Sequence, residues 1–178
     1  MRKSVDSSIF KEKQIEYLAV QAHRIFCDGL LDRGHRYSSN SSDGMKTHPA
    51  LVPYDHLSEE REQSNRRFIR EIPRKLPAVG YTLDPIVEKD QVFEIPESVQ
   101  VILANMEHER WVQHMRQAGW AWGLNTDPGR NVHASMVEWS ELSAFERDKD
   151  SLMIGANPRI EELAGYHIVR TAEKTLLE

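Results

Sequence analysis

Cysteine occurs once, as Cys27, so no internal disulfide can form and a reducing, cytoplasmic address is expected. No run approaches the roughly 18 apolar residues of a membrane helix, so membrane insertion is not expected. The opening residues, MRKSVDSSIFKEKQIEY, carry two early cations but lack the apolar stretch of a secretory signal. Gly-rich phosphate loops, Gly-x-Ser-x-Gly and Cys-x-x-Cys are all missing. Of the eight histidines, His108 and His114 stand six apart, on different helix faces, unlike the i, i+4 pairs of helical zinc ligands. Neither a metal nor a cofactor is expected. A net charge of −5 lacks the basic footprint of a general nucleic-acid binder.

That charge is unevenly spread: residues 1–83 carry +3 and residues 84–178 carry −8. The dominant signal is internal repetition. A shift of 85 residues aligns the sequence with itself without a gap, giving 15 identities in the 64 pairs from Leu18 to Tyr81. They include His23/His108, Gly34/Gly119, His48/His133, Ser58/Ser143, Pro73/Pro158 and Gly80/Gly165. Rings align too, as Phe26/Trp111, His35/Trp120, Tyr37/Trp122 and Tyr54/Trp139.

Each copy reads as helix, glycine, short extended segment, polar loop, strand-like segment and second helix. In copy two the first helix is expected from about Val99 to Ala118, with Gly119 as its C-cap. Trp120-Ala121-Trp122 reads as extended, and Asp127-Pro128-Gly129 as a turn in which proline presets φ and glycine tolerates positive φ. The matching copy-one loop, SSNSSDG, is expected to be mobile. Ser58 and Ser143 are expected N-caps, with Glu146 completing a capping box in copy two. Pro73 and Pro158 should end or kink the second helix. The expected organisation is a first repeat over 9–83, a linker over 84–96 and a second repeat over 97–172.

Two diverged copies separate scaffold from specialisation. Ala104, His108, Trp111 and Met115 share a helix face, and Ala19, His23, Phe26 and Leu30 repeat it, so both histidines are expected as buried, hydrogen-bonded, neutral packing groups. Cys27 aligns with Val112 and reads as a buried position. By contrast Glu107, Arg110 and His114 answer to Ala22, Ile25 and Gly29, so this polar trio belongs to copy two alone. All four tryptophans lie between residues 111 and 139. An arginine fork beside indole faces suits a planar anion, held by stacking and bidentate hydrogen bonds. The candidate ligand residues are therefore Glu107, Arg110, Trp111, His114, Trp120 and Trp122; the alternative is a tryptophan core with a surface Glu107–Arg110 pair. The basic run from Arg66 to Lys75 reads as a solvated face or a patch for phosphate or for the acidic second half. No catalytic residue is assigned.

Glu107-His108-Glu109-Arg110-Trp111 followed by Ala118-Gly119-Trp120-Ala121-Trp122-Gly123 resembles the ryanodine receptor repeat (RyR domain), especially its bacterial relatives. His48-Pro49-Ala50-Leu51-Val52-Pro53-Tyr54-Asp55-His56-Leu57-Ser58-Glu59-Glu60 is similar to the family's His-Pro-x-Leu-Val-Pro-Trp-x-x-Leu-Pro-Glu-Glu stretch. The resemblance spans about residues 15–170. Copy one departs from it over Ala22 to Phe26 and at Gly34-His35-Arg36-Tyr37-Ser38, and copy two has Ala134 and Glu138 where the family favours proline. The resemblance implies a mainly α fold with short β-strands, two tandem repeats packed with pseudo-two-fold symmetry, and regulation or contact-making rather than catalysis. Copy one is not expected to bind a ligand as copy two does.

The resulting expectation is a non-enzymatic regulatory or sensing module, of bacterial or phage type, that binds a small anionic, nucleotide-like ligand near the repeat interface. Two rivals remain. One is a protein-interaction or assembly module, with a protein partner or a homo-oligomer and no small ligand. The other is a nucleotide-processing enzyme using His108 or His133 with Glu107.

Overall fold

The computed structural model describes residues 9–39, 41, 44–87 and 94–171. It is mainly α-helical with short strands. Helix α1 (Glu12–Asp32) is followed by β1 (Arg36–Tyr37), β2 (Thr47–His48), α2 (Glu59–Lys75) and β3 (Tyr81–Pro85). The same order returns as α3 (Glu97–Gln117), β4 (Ala121–Trp122), β5 (Val132–His133), α4 (Ala144–Gly155), α5 (Asn157–Leu163) and β6 (Tyr166–Arg170).

Local chemistry explains these boundaries. Gly119 takes φ +84 just past α3, as Gly34 takes φ +79 past α1, so the chain reverses where an L side chain would be strained. Ser58 Oγ accepts from the Arg61 N–H and Ser143 Oγ from the Glu146 N–H, capping α2 and α4. The Glu146 carboxylate of the expected capping box bonds Lys149 and Ser135. Asp127 Oδ1 accepts from the Gly129 N–H and forms the expected turn. The two prolines act differently. Pro73 lies inside α2, which runs on to Lys75, whereas α4 stops at Gly155 and Pro158 opens the separate helix α5. Proline needs no N–H donor at a helix start, so the break at Gly155 turns it into a favourable residue. Of the loop expected to be mobile, residues 40, 42 and 43 lie outside the described residues, as do 88–93 of the expected linker and residue 172.

Equivalent positions adopt equivalent structure. β1 pairs with β2 in parallel through Arg36↔Thr47 and Tyr37↔His48, and β4 pairs with β5 through Ala121↔Val132 and Trp122↔His133, each 85 residues on. The strands β3 and β6, which the sequence pattern did not reveal, form an antiparallel ladder centred on Leu83↔Ile168. Asp84 and Pro85, expected in the linker, belong to this ladder. Exchanging the repeats returns the same five pairs, so the ladder is locally two-fold symmetric.

Above that ladder the helices share one apolar core. Leu18, Ala19 and Ala22 of α1, Ile69 and Ile72 of α2, Leu103 and Ala104 of α3, Ile154 of α4, and Ile160 of α5 are almost fully buried in one cluster. Burial of each such branched side chain contributes about 1.5–3 kcal/mol, and one core across both halves ties the repeats together. Helix α1 packs on α2 and α3 on α4, while α1 also meets α4 and α2 meets α3 across the junction. No helix among the described residues is long and apolar enough to cross a membrane.

Candidate functional site

The four long helices leave a cleft of about 420 Å³ between the repeats. Much of its lining comes in pairs 85 residues apart, among them His23/His108, Phe26/Trp111, His48/His133 and Arg61/Glu146. Duplication therefore dictates the outline of the cavity. Divergence dictates its chemistry.

The scaffold histidines show both effects. His23 Nε2 donates to the Val52 carbonyl and His108 Nε2 to that of Val137, both at 2.8 Å. Burial lowers the His23 pKa against the pull of that carbonyl, with Arg61 adding to the fall, so this ring is neutral. His108 shifts in the opposite direction. Burial opposes its charge too, but Asp150 at 3.5 Å and the Val137 carbonyl outweigh burial and raise its pKa. The copy-one counterpart of Asp150 is the uncharged Asn65.

His48 and His133 are the second matched pair. Each Nδ1 accepts a backbone N–H two residues on, from Ala50 and from Ser135, at 3.1 Å. A ring nitrogen that accepts is unprotonated, so the neutral tautomer carries its proton on Nε2. Burial, followed by the Lys149 and Arg61 charges, lowers the His48 pKa to about 3; burial is also the main cause for His133, at about 4. The folded state thus binds fewer protons here than the unfolded chain, where histidine titrates near 6.5. This contribution to stability is present above about pH 6.5 and is lost as pH falls toward 3. Denaturant unfolding of His48→Gln should accordingly show a shallower loss of stability between pH 6.5 and 4 than wild type; an unchanged slope would contradict the tautomer assignment.

Of the six residues expected from sequence, Glu107, Arg110, Trp111, His114 and Trp120 line the cleft. Trp122 does not; it lies on β4 and is 54% exposed. Arg110 is not a free cation. Its Nε and Nη2 grip the Glu107 carboxylate at 2.6–3.1 Å, and Glu107 is buried and also accepts from Lys75 Nζ of α2. The alternative of a surface ion pair is therefore excluded for Glu107–Arg110. Arg110 Nη2 also reaches Ser64 Oγ at 3.5 Å, and Nη1 has no partner among the described residues. His114 Nδ1 accepts from Arg67 Nη1 at 2.6 Å, which places its proton on Nε2, also without a partner there.

The basic run of α2 is thereby resolved. Arg66 pairs with Glu16 and Glu62, Arg70 with Glu12 and Arg74 with Glu71, all within repeat one. Among the described residues, Arg67 and Lys75 of this run bond side chains of the second repeat. Arg61, which sequence reasoning passed over, is the cation that stays available. It lines the cleft and has no side-chain hydrogen bond or ion pair among the described residues. Its signal was legible in the alignment, because it faces Glu146 across the repeat, a reversal of charge at a matched position. Lys149, where copy one has Ser64, adds a second cation, paired with Glu146 at 2.6 Å.

Such a cavity can stack a flat ring on Trp111 and Trp120 and offer cations and N–H donors to an anion. Among the described residues no group of three or more His, Cys, Asp or Glu side chains is placed to hold a metal ion. A family model for the RyR domain matches residues 6–85 and, a second time, residues 91–170. The chain belongs to the RyR domain family and carries that domain twice in tandem.

Proposed function

We propose that the tandem pair is a non-enzymatic regulatory or sensing module whose inter-repeat cleft binds a small, ring-bearing anion of nucleotide type. The observation that carries this reading is Arg61: a solvent-facing cation whose side chain makes no hydrogen bond or ion pair among the described residues, in the wall of a cavity that also holds Trp111 and Trp120. Arg110, fixed by Glu107, supports the same wall. Titration calorimetry with a panel of mononucleotides tests it. One saturable site is expected, weakened at least tenfold in Arg61→Ala and in Arg110→Ala, since charge-assisted hydrogen bonds contribute about 1.5–3 kcal/mol. No binding by any member, or equal binding by both variants, would remove the proposal.

A second reading is an interaction module with a protein partner or a second copy of the chain. Tyr37, Met45, Trp122 and Leu124 are large apolar side chains that are more than half exposed. Light scattering that shows a stable oligomer, together with an empty cleft in the calorimeter, would favour it.

A further inference from the structure

The two ends of the cleft repeat the same ring arrangement. Phe26 meets His48 edge-to-face at 5.4 Å and 72°, and its counterpart Trp111 meets His133 at 4.9 Å and 75°. Each repeat thus offers one flat apolar ring from its first helix, held by a histidine from its second strand. Trp120 extends the copy-two surface, lying 6.2 Å from His133. The polar groups are common to both ends. Arg61 and Lys149 each act on both His48 and His133, His133 acts on His48, and the Glu146 carboxylate, paired with Lys149, acts on His133, so these five side chains form one electrostatic cluster. Neither histidine Nε2–H has a partner among the described residues, and each comes from a ring whose Nδ1 is fixed by backbone.

We propose that the cleft is a two-ring site: it takes a dinucleotide-type ligand, two heteroaromatic rings joined by a phosphate bridge, with one ring against Phe26 and the other against Trp111 and Trp120. This rests on the reading of the cleft as an anion site. The bridge lies at the shared cluster, where Arg61 and Lys149 supply charge and the paired Nε2–H groups of His48 and His133 supply hydrogen bonds. A single mononucleotide uses the same cluster but only the copy-two end, where the indole surface is larger. Repeat one then contributes a second ring slot rather than an inactive half. Charge differs between the ends, with Arg61 answering to Glu146 and Asn65 to Asp150, so the two rings are not held equivalently.

The test is calorimetry of the full chain with AMP, the phosphate-bridged dinucleotide NAD, and a single-stranded oligonucleotide eight residues long. NAD should bind about tenfold or more tighter than AMP, because stacking one further ring on an aromatic side chain is worth about that factor or more. Phe26→Leu, which keeps apolar bulk but removes the ring, should weaken NAD to the level of AMP while leaving AMP unchanged; retained AMP binding also shows that the variant is folded. Trp111→Leu should weaken both. If AMP and NAD bind equally, or Phe26→Leu weakens them alike, the two-ring proposal falls while the single-anion reading stands. If neither binds, the underlying reading falls as well. An oligonucleotide that outcompetes NAD would make the cleft a strand-binding site and would overturn the proposal.

Discussion

Glu107→Ala should destabilise the fold by about 3–5 kcal/mol, the largest loss expected from any single truncation outside the apolar core. The carboxylate is buried and serves two cations, Lys75 and Arg110, whose side chains are themselves 9% and 15% exposed. Its removal leaves two enclosed positive charges without a counter-ion. The opposite seam of the molecule shows that the fold has no need of this network. There the matched positions are Ala22 for Glu107, Ile25 for Arg110 and Ile160 for Lys75, and Ala22 and Ile160 are fully buried. Gly29 replaces His114, and a Cβ added at Gly29 would come within 2.3 Å of Leu152, the counterpart of Arg67. One junction is therefore apolar and tightly apposed, and the other polar, on the same scaffold. The triple variant Lys75→Ile, Glu107→Ala, Arg110→Ile copies the apolar seam and should be as stable as wild type or more so, since apolar replacement of a buried ion network is often neutral or favourable. It should nevertheless lose ligand binding. Chemical denaturation of the single and triple variants checks both statements, and equal destabilisation of the two would show that the network is required by the fold.

Glu161→Leu should stabilise the protein by about 1–3 kcal/mol at neutral pH, the usual cost of a buried polar group without a partner. Glu161 is completely buried in α5, and neither carboxylate oxygen has a hydrogen bond among the described residues. Its counterpart in repeat one is Leu76, which shows that leucine fits this site in the same architecture. Asn157, one turn earlier on α5, likewise answers to the apolar Ile72 and keeps an unpartnered Oδ1. Burial drives the Glu161 pKa well above the ordinary carboxylate value. The folded state therefore holds its proton more tightly than the unfolded chain. This group's favourable contribution is complete below about pH 4.3, the unfolded value, and is lost as pH rises through the folded pKa. The advantage of the leucine variant should accordingly widen with pH above about 4.3. Thermal unfolding across pH 5 to 9 measures it; a constant gap, or a less stable variant, would contradict the picture of an unpaired buried acid.

The repeat made most of the helical frame legible before any coordinates. Gly34 and Gly119 marked the ends of α1 and α3, and Ser58 and Ser143 marked the starts of α2 and α4, because caps are local chemistry. The β3–β6 ladder was hidden, since Tyr81–Pro85 and Tyr166–Arg170 are five-residue segments that become strands only by pairing with each other, 85 residues apart. The lining of the candidate site was half legible. Comparison of copies singled out Glu107, Arg110 and His114 because they are polar where copy one is apolar. It missed Arg61 and His48 for two different reasons, and weighed His133 only for the rival enzyme. Arg61 lies just ahead of the four arginines Arg66, Arg67, Arg70 and Arg74 and drew no notice beside them, while His48, identical to its counterpart His133, looked like scaffold. Trp122 could not be told from Trp120, because a two-residue strand gives no pattern from which to read which side faces the cleft.

The account stands on the junction between repeats being a ligand site. The most direct measurement is a crystal structure of the chain with the tightest-binding nucleotide of the panel. Density for a ring against Trp111 and Trp120, with a phosphate oxygen within hydrogen-bond distance of Arg61, is the predicted result. Density at any other surface, with the cleft empty at saturating ligand, would contradict it.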